Sequence, residues 1–321
     1  MTGTSGIATR LNNLLAYRRK YGNSQAARFT AIKVRSAVAK SRLGWKLVYE
    51  LNPLVRTGTL DDYTRCAERV WTGLRALSGL EMREFRFDLD DYYRYVRRAD
   101  YDQYGDYYRG GLTGDESRRA DKLLQHYISI RLLEMDEGDV YIDVASNTSP
   151  MKSIVRELFG ATSYSLDLIY EPGVHGDTIG CDAGDTGLPP AFASKLSLHC
   201  SFEHFAYGGD WRFLREASGI LRPGGRICII PLYIIDQYSI RQDPTFETDL
   251  KVRDREGATI VYVKGYKVHY ARFYDVRSFQ ERILGNCNGL KPTMYRIVNL
   301  DDIRVGRCYT HFALVLEKPL A

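Results

Sequence analysis

A chain of 321 residues, 44% hydrophobic and 26% charged, is large enough to bury a core and to build one large domain or two modest ones. Its net charge of +5 is too small to mark a nucleic-acid binder, so any basic function must lie in how the charge is distributed. Six cysteines with no CxxC pair argue against a disulfide scaffold and a zinc site, and they suit a reducing cytoplasm.

Residues 1–9 are small and polar and are expected to fray. Over 11–51, apolar residues such as Leu11, Leu14, Leu15, Ile32, Val38, Leu43 and Val48 recur at three- and four-residue spacings among basic ones. This predicts one or two amphipathic helices. From Arg10 to Arg56 the only acid is Glu50. Such a helix either meets an anionic lipid surface or an acidic partner, or lays a solvated basic face on the domain. The stretch has no apolar signal-peptide core, and the longest apolar run, 227–235, is interrupted by Pro231 and is far too short to span a membrane.

Asn52-Pro53 breaks the basic region. Residues 60–80 predict a helix with Asp61 and Asp62 near its start, where carboxylates favour the helix dipole. The segment 85–108 concentrates Tyr92, Tyr93, Tyr95, Tyr101, Tyr104, Tyr107 and Tyr108, out of 24 tyrosines in the chain. Tyrosine rings there either present a face for a sugar or polar small molecule, or seal a domain edge. Asp88, Asp90 and Asp91 read as a solvated helix start, and no cluster suggests a metal. After Gly110-Gly111 a helix is predicted over 115–135, with Leu123, Leu124, Tyr127, Ile130 and Leu133 on one side.

The chain then alternates: strand 139–145, helix 150–159, strand 162–168, a short strand at 177–182, strand 195–200, helix 210–221 and strand 225–233. Alternation of this kind predicts a parallel α/β sheet with right-handed crossovers. Beyond 236 the pattern loosens into a strand at 261–263, an aromatic loop or strand over 265–275 and a helix over 277–284. Closing strands follow at 293–300 and 309–317.

Chemistry gathers at the loops that follow the strands. A turn from a buried strand into a helix at 145–150 offers free backbone N–H groups and a positive dipole end to an anion. Ser149 is the expected N-cap and Pro150 the first helical residue. Asn147 tolerates a left-handed backbone, and Asp143 is placed to accept a bond from a ligand ammonium or to position the loop. Asp167, about twenty residues further on, ends the second strand where a carboxylate can hold ribose hydroxyls. Asp182, followed by small Ala183, can meet an adenine amino group.

These landmarks, continued by Glu203-His204 and by Leu221-Arg-Pro-Gly-Gly225, resemble the class I S-adenosylmethionine-dependent methyltransferases, in particular the type 11 group, over residues 139–231. The resemblance implies an α/β, Rossmann-like class I methyltransferase sheet, mostly parallel with an antiparallel last strand, and an N-terminal helical extension. It implies S-adenosyl-L-methionine as cofactor, held by Asp143, Ala145, Ser146, Asn147, Ser149, Asp167, Leu168, Asp182, Ala183, Cys200 and Ser201. The family's loop carries glycines, whereas the stretch from Asp143 to Ser149 has none. Ser194-Lys195 stands where the family has an acid.

On this reading, residues 115–321 form the methyltransferase domain with an insertion at 236–290, and 1–114 form a helical, Tyr-rich cover. The expected activity is O-methylation of a sugar, a glycan or another small-molecule hydroxyl in the cytoplasm. Nucleic acid is not expected, since the core lacks a basic stripe. His204, His269 and Tyr233 are the candidate catalytic residues, with His199 read as a core histidine. The missing glycines support an alternative, a methyltransferase-like binding or scaffold subunit without activity.

Overall fold

The structure is a computed structural model that describes residues 34, 37, 39–51, 56–59, 61–105, 116–246, 257–303 and 308–320, with only the backbone of 116–118. The helices expected over 11–33, and Tyr107, Tyr108 and Gly110-Gly111, lie outside the described residues. Contacts divide the chain into two compact units, 1–60 with 239–271, and 61–238 with 272–321.

The larger unit is built on one eight-stranded sheet. Its strands are β1 (Glu81–Phe85), β2 (Val140–Val144), β3 (Thr162–His175), β4 (Thr178–Gly180), β5 (Ala193–His199), β6 (Leu221–Ile230), β7 (Lys291–Ile297) and β8 (Phe312–Glu317). Their order across the sheet is β1-β7-β8-β6-β5-β2-β3-β4. β2 pairs in parallel with β3 and β5, and β5 in parallel with β6. β8 lies antiparallel between β6 and β7. This is the class I methyltransferase arrangement, with the last strand inserted antiparallel next to the centre. β2, β5 and the second half of β6 are buried on successive residues, polar ones included, as strands covered on both faces are.

The helices are α1 (Asp61–Leu74), α2 (Leu89–Ala99), α3 (Glu116–Leu133), α4 (Met151–Phe159), α5 (Gly209–Ile220) and α6 (Val276–Arg282). Asp88 caps α2 by accepting from the Asp91 N–H at 2.8 Å, so the acidic run is a helix start. Tyr92, Tyr95 and Tyr101 are buried in one cluster with Tyr127. They seal the core, and the sugar-face reading does not hold for these three rings. α3 is wider in its contacts than a one-sided stripe, since Gln125, His126 and Ser129 are buried alongside its leucines.

The boundary expected at 114 does not coincide with the division of the chain. Residues 61–105 belong to the sheet's own unit, and β1 extends the sheet by pairing in parallel with β7. The expected insertion 236–290 is also split. Residues 239–271 belong to the smaller unit, whereas Arg272, Tyr274 and Arg282 return to the larger one and converge on buried Asp210 of α5. In the smaller unit three short parallel strands, Arg56–Thr57, Ser239–Gln242 and Thr259–Tyr262, lie side by side. No helix among the described residues is long and apolar enough to cross a membrane.

Candidate cofactor and methyl-transfer site

The candidate residues gather along one edge of the sheet: Asp143 in β2, Asp167 and Leu168 within β3, which runs on past the expected end at Asp167, and the others on the segments after β2, β4 and β5. The loop after β2 contains no glycine, yet Ala145 and Asn147 sit at φ +52° and +48°. It therefore holds the left-handed backbone that glycine would adopt without strain, at roughly 1–2 kcal/mol per non-glycine residue and least for asparagine. Bonds from β3 offset that strain. The Ser146 N–H donates to the Leu166 carbonyl at 3.1 Å, and the Asn147 N–H to Asp167 Oδ2 at 2.8 Å. The Tyr170 hydroxyl donates to the Asn147 carbonyl at 2.6 Å and lies 3.2 Å from Ser146 Oγ.

Ser149 is not the helix cap. Its N–H closes a turn on the Ser146 carbonyl at 2.8 Å, and α4 begins one residue later than expected, with Pro150 at the cap position. The Ser149 hydroxyl still accepts from Met151 N–H at 3.3 Å.

Tyr170 thus takes over part of the work of the missing glycines. Replacing Tyr170 by Phe removes two bonds to the loop and none to the core. A neutral hydrogen bond contributes about 1 kcal/mol to stability, so the variant is expected to lose about 1–2 kcal/mol, a few degrees in melting temperature, and to bind S-adenosylhomocysteine more weakly. Calorimetric titration beside a thermal melt checks this.

Two cavities adjoin at Ala145. The first, about 230 Å³, is lined by the 145–149 loop with Lys122, His126, Asp143, His199 and Cys200. The second, about 210 Å³, is lined among others by Asp167, Leu168, Asp182, Ala183, His204 and Arg212. The expected cofactor acids are therefore divided, with Asp143 in one cavity and Asp167 and Asp182 in the other.

Asp143 is almost fully buried. Its Oδ1 lies 3.3 Å from His199 Nδ1, and His199 Nε2 lies 2.8 Å from Ser129 Oγ. Oδ2 has no hydrogen-bond partner. A buried carboxylate oxygen left this way is costly unless a ligand satisfies it. Burial pushes the His199 imidazole down against the opposing pull of Asp143, and burial with the neighbouring His199 and Lys122 charges pushes His126 down further. Burial thus favours the neutral form of both rings. Lys122 reaches the same cavity and donates to the His199 carbonyl at 2.9 Å.

In the second cavity Asp167 accepts the Asn147 N–H and, at 3.1 Å, the Ile169 N–H, with Leu168 and Ile169 exposed beside it. Asp182 accepts the Gly184 N–H at 2.8 Å and faces Arg212 Nη1 at 3.3 Å. Each of these carboxylates can accept further bonds, because every oxygen has two lone pairs.

Between the cavities runs the turn after β5. Cys200 is held at φ +50°, and burial pushes its thiol up to about 11, which makes it a poor nucleophile. Ser201 Oγ and Glu203 Oε2 are buried without hydrogen-bond partners. Burial raises the Glu203 carboxyl above its usual range, against the pull of His204. His204 Nε2 lies 3.8 Å from Glu203 Oε1 with its side chain 40% exposed.

Within the larger unit, His204 and Tyr233 have different surroundings. His204 lines the second cavity. Tyr233 is buried against Phe273 at 4.6 Å and Tyr63 at 5.1 Å, where it packs the core. His269 belongs to the smaller unit. Lys122, His126 and Glu203 were not in the expected set. Lys122 and His126 lie four apart on α3, a spacing that puts them on one helix face.

The strand order is that of the class I methyltransferase fold. No protein-family model and no curated protein matches the chain. Solved structures do. The 1,6-didemethyltoxoflavin-N1-methyltransferase of Burkholderia thailandensis, bound to 1,6-didemethyltoxoflavin and S-adenosylhomocysteine, is 14% identical, with 74% of this chain and 93% of that one covered at TM-score 0.42. The geranyl diphosphate C-methyltransferase of Streptomyces coelicolor A3(2), with Mg2+, geranyl diphosphate and S-adenosylhomocysteine, is 13% identical over 61% and 80% at TM-score 0.39. A geranyl diphosphate methyltransferase bound to its diphosphate and sinefungin is 15% identical over 71% and 97% at TM-score 0.41.

Proposed function

We propose that the protein is an S-adenosylmethionine-dependent methyltransferase that modifies a hydroxyl group of a small molecule or glycan in the cytoplasm. The observation that carries the cofactor is the unpartnered, buried Asp143 Oδ2 in a cavity that adjoins a second cavity bearing Asp167 and Asp182. Asp143 would hold the α-ammonium group and Lys122 the carboxylate of the methionine half. Asp167 would take the ribose, and Asp182 with Ala183 the adenine edge. When bound, the cofactor supplies an electrophilic methyl group on a sulfonium sulfur.

The chain's own contribution is to align the acceptor and remove its proton. Glu203, on the turn after β5, is buried with one oxygen unpartnered and a raised proton affinity, and it lies 3.8 Å from His204, which lines the second cavity. Through His204 it would draw off the acceptor's hydroxyl proton while the bound cofactor supplied its methyl group. Half-exposed His204, beside Glu203, passes the proton to solvent. The acceptor class rests on this proton-accepting group, since Tyr92, Tyr95 and Tyr101 are spent in the core. The existing contact of Asp182 with Arg212 favours the other reading, a binding subunit without activity.

Methyl-labelled S-adenosylmethionine offered with sugars, phenols and amines distinguishes the two. Label is expected on a hydroxyl acceptor, and Glu203→Gln is expected to lower kcat by about 10²–10⁴ with S-adenosylhomocysteine affinity unchanged. Label on carbon or nitrogen at an undiminished rate in the variant would contradict the reading, and cofactor binding without transfer to any acceptor would favour the binding subunit.

A further inference from the structure

The smaller unit carries a helical segment whose outward side is apolar. The turn Arg42–Trp45 continues as a π-helix over Lys46–Glu50. Trp45 and Tyr49 stack at 4.8 Å, and Tyr49 packs edge-on against Tyr262 at 5.1 Å. With Ala39 they form this unit's own buried cluster. That anchoring leaves the other side outward, where Leu43, Leu47 and Leu51 are 68%, 57% and 61% exposed and Val48 is 42% exposed.

Single exposed leucines are ordinary, but a row of them on one short helical segment marks an interaction surface. Arg42 and Lys46 are exposed among them. Among the described residues 39–51, Lys40, Arg42 and Lys46 are exposed against a single acid, Glu50. A second copy of this chain would bring the same positive charge to the contact, so self-association through this face is opposed. Aliphatic side chains fringed by cations match a bilayer with anionic headgroups, where the chains enter the acyl boundary and the cations stay at the headgroups.

We propose that the Leu43–Leu47–Leu51 face docks the protein peripherally on an anionic lipid surface. The docking is independent of the methyltransferase reading, because it uses residues of the smaller unit only.

Sedimentation of the full chain with phosphatidylcholine vesicles, with and without phosphatidylserine, tests it. Binding is expected only with phosphatidylserine and is expected to weaken as salt rises. Leu43→Ser with Leu47→Ser should reduce partitioning by more than about tenfold, since two aliphatic side chains no longer enter the bilayer. Arg42→Ala with Lys46→Ala should reduce it by about tenfold or more, at roughly fivefold per basic residue near an anionic surface. Exposed positions tolerate both changes, so unchanged melting temperatures should accompany the loss. The proposal is overturned if the wild-type chain ignores phosphatidylserine, or if the leucine variant binds vesicles as the wild type does. It is equally overturned if polyglutamate binds the chain and the leucine variant alike while vesicles do not, which would point to an acidic protein partner.

Discussion

Replacing Asp143 by Asn is expected to weaken S-adenosylhomocysteine binding by about a hundredfold, in line with the 2–5 kcal/mol that follows loss of one partner of a desolvated charge pair. The unliganded fold should be at least as stable as before. Asn retains an oxygen that can accept from His199, and Oδ2 has no bond to lose. Removing an uncompensated buried charge is favourable in itself. Calorimetric titration gives the affinity and urea unfolding the stability. A variant that binds normally but unfolds more easily would make Asp143 a structural residue and move the ammonium site elsewhere.

Asp210 is expected to show the largest stability effect in the chain. Its carboxylate lies 2.5 Å from Arg272 Nη1, accepts Arg282 Nε and Nη2 at 2.8 and 2.7 Å, and accepts the Tyr274 hydroxyl at 2.9 Å. Asp210→Asn leaves two guanidinium groups in or near the core without their counter-charge. Breaking a buried pair from one side costs about 3–5 kcal/mol. For a unit of this size that is a drop of roughly 10 °C in melting temperature.

The same residue sets part of the acid sensitivity. Burial alone would raise the Asp210 carboxyl, but the Arg282 hydrogen bonds and the Arg272 charge overrule it and hold it below the usual carboxylate value of 3.8. A depressed folded-state value stabilises the fold above the unfolded value, and that stabilisation disappears as the pH falls through the folded one. The wild type should therefore lose stability on acidification below about pH 4, and this component should vanish in the Asn variant. A stability change under about 1 kcal/mol would show that the arginines find other partners.

The parts of the fold legible in the sequence are those whose signal is local. β2, β5 and β6 read as strands because their apolar runs are buried on both faces, and the order of Asp143, Asp167 and Asp182 follows from the order of the strands. β1 escaped because Glu81, Arg83 and Glu84 are exposed and only Met82 and Phe85 are half-buried, which leaves little apolar alternation on an edge strand. The return of the chain to the larger unit at Arg272 was hidden for a different reason. It is set by ion pairs to Asp210, some sixty residues earlier, which no local pattern reports.

At the site, the absence of glycine suggested a weakened loop, but the left-handed backbone of Ala145 and Asn147 and the bracing by Tyr170 exist only in three dimensions. Lys122 and His126 reach the first cavity from α3, which precedes the strands that carry the expected site residues. Glu203 and His204 are adjacent in sequence, and the burial of the first and half-exposure of the second are features of the fold that no local pattern reports.

The most direct test is calorimetric titration of the full wild-type chain with S-adenosylhomocysteine. Saturable one-to-one binding is expected, together with stabilisation of about 2.7 kcal/mol when ligand reaches a hundred times its dissociation constant. Absence of both heat and thermal shift at millimolar ligand would contradict the account, because the paired cavities and the unpartnered Asp143 oxygen would then serve something other than this cofactor.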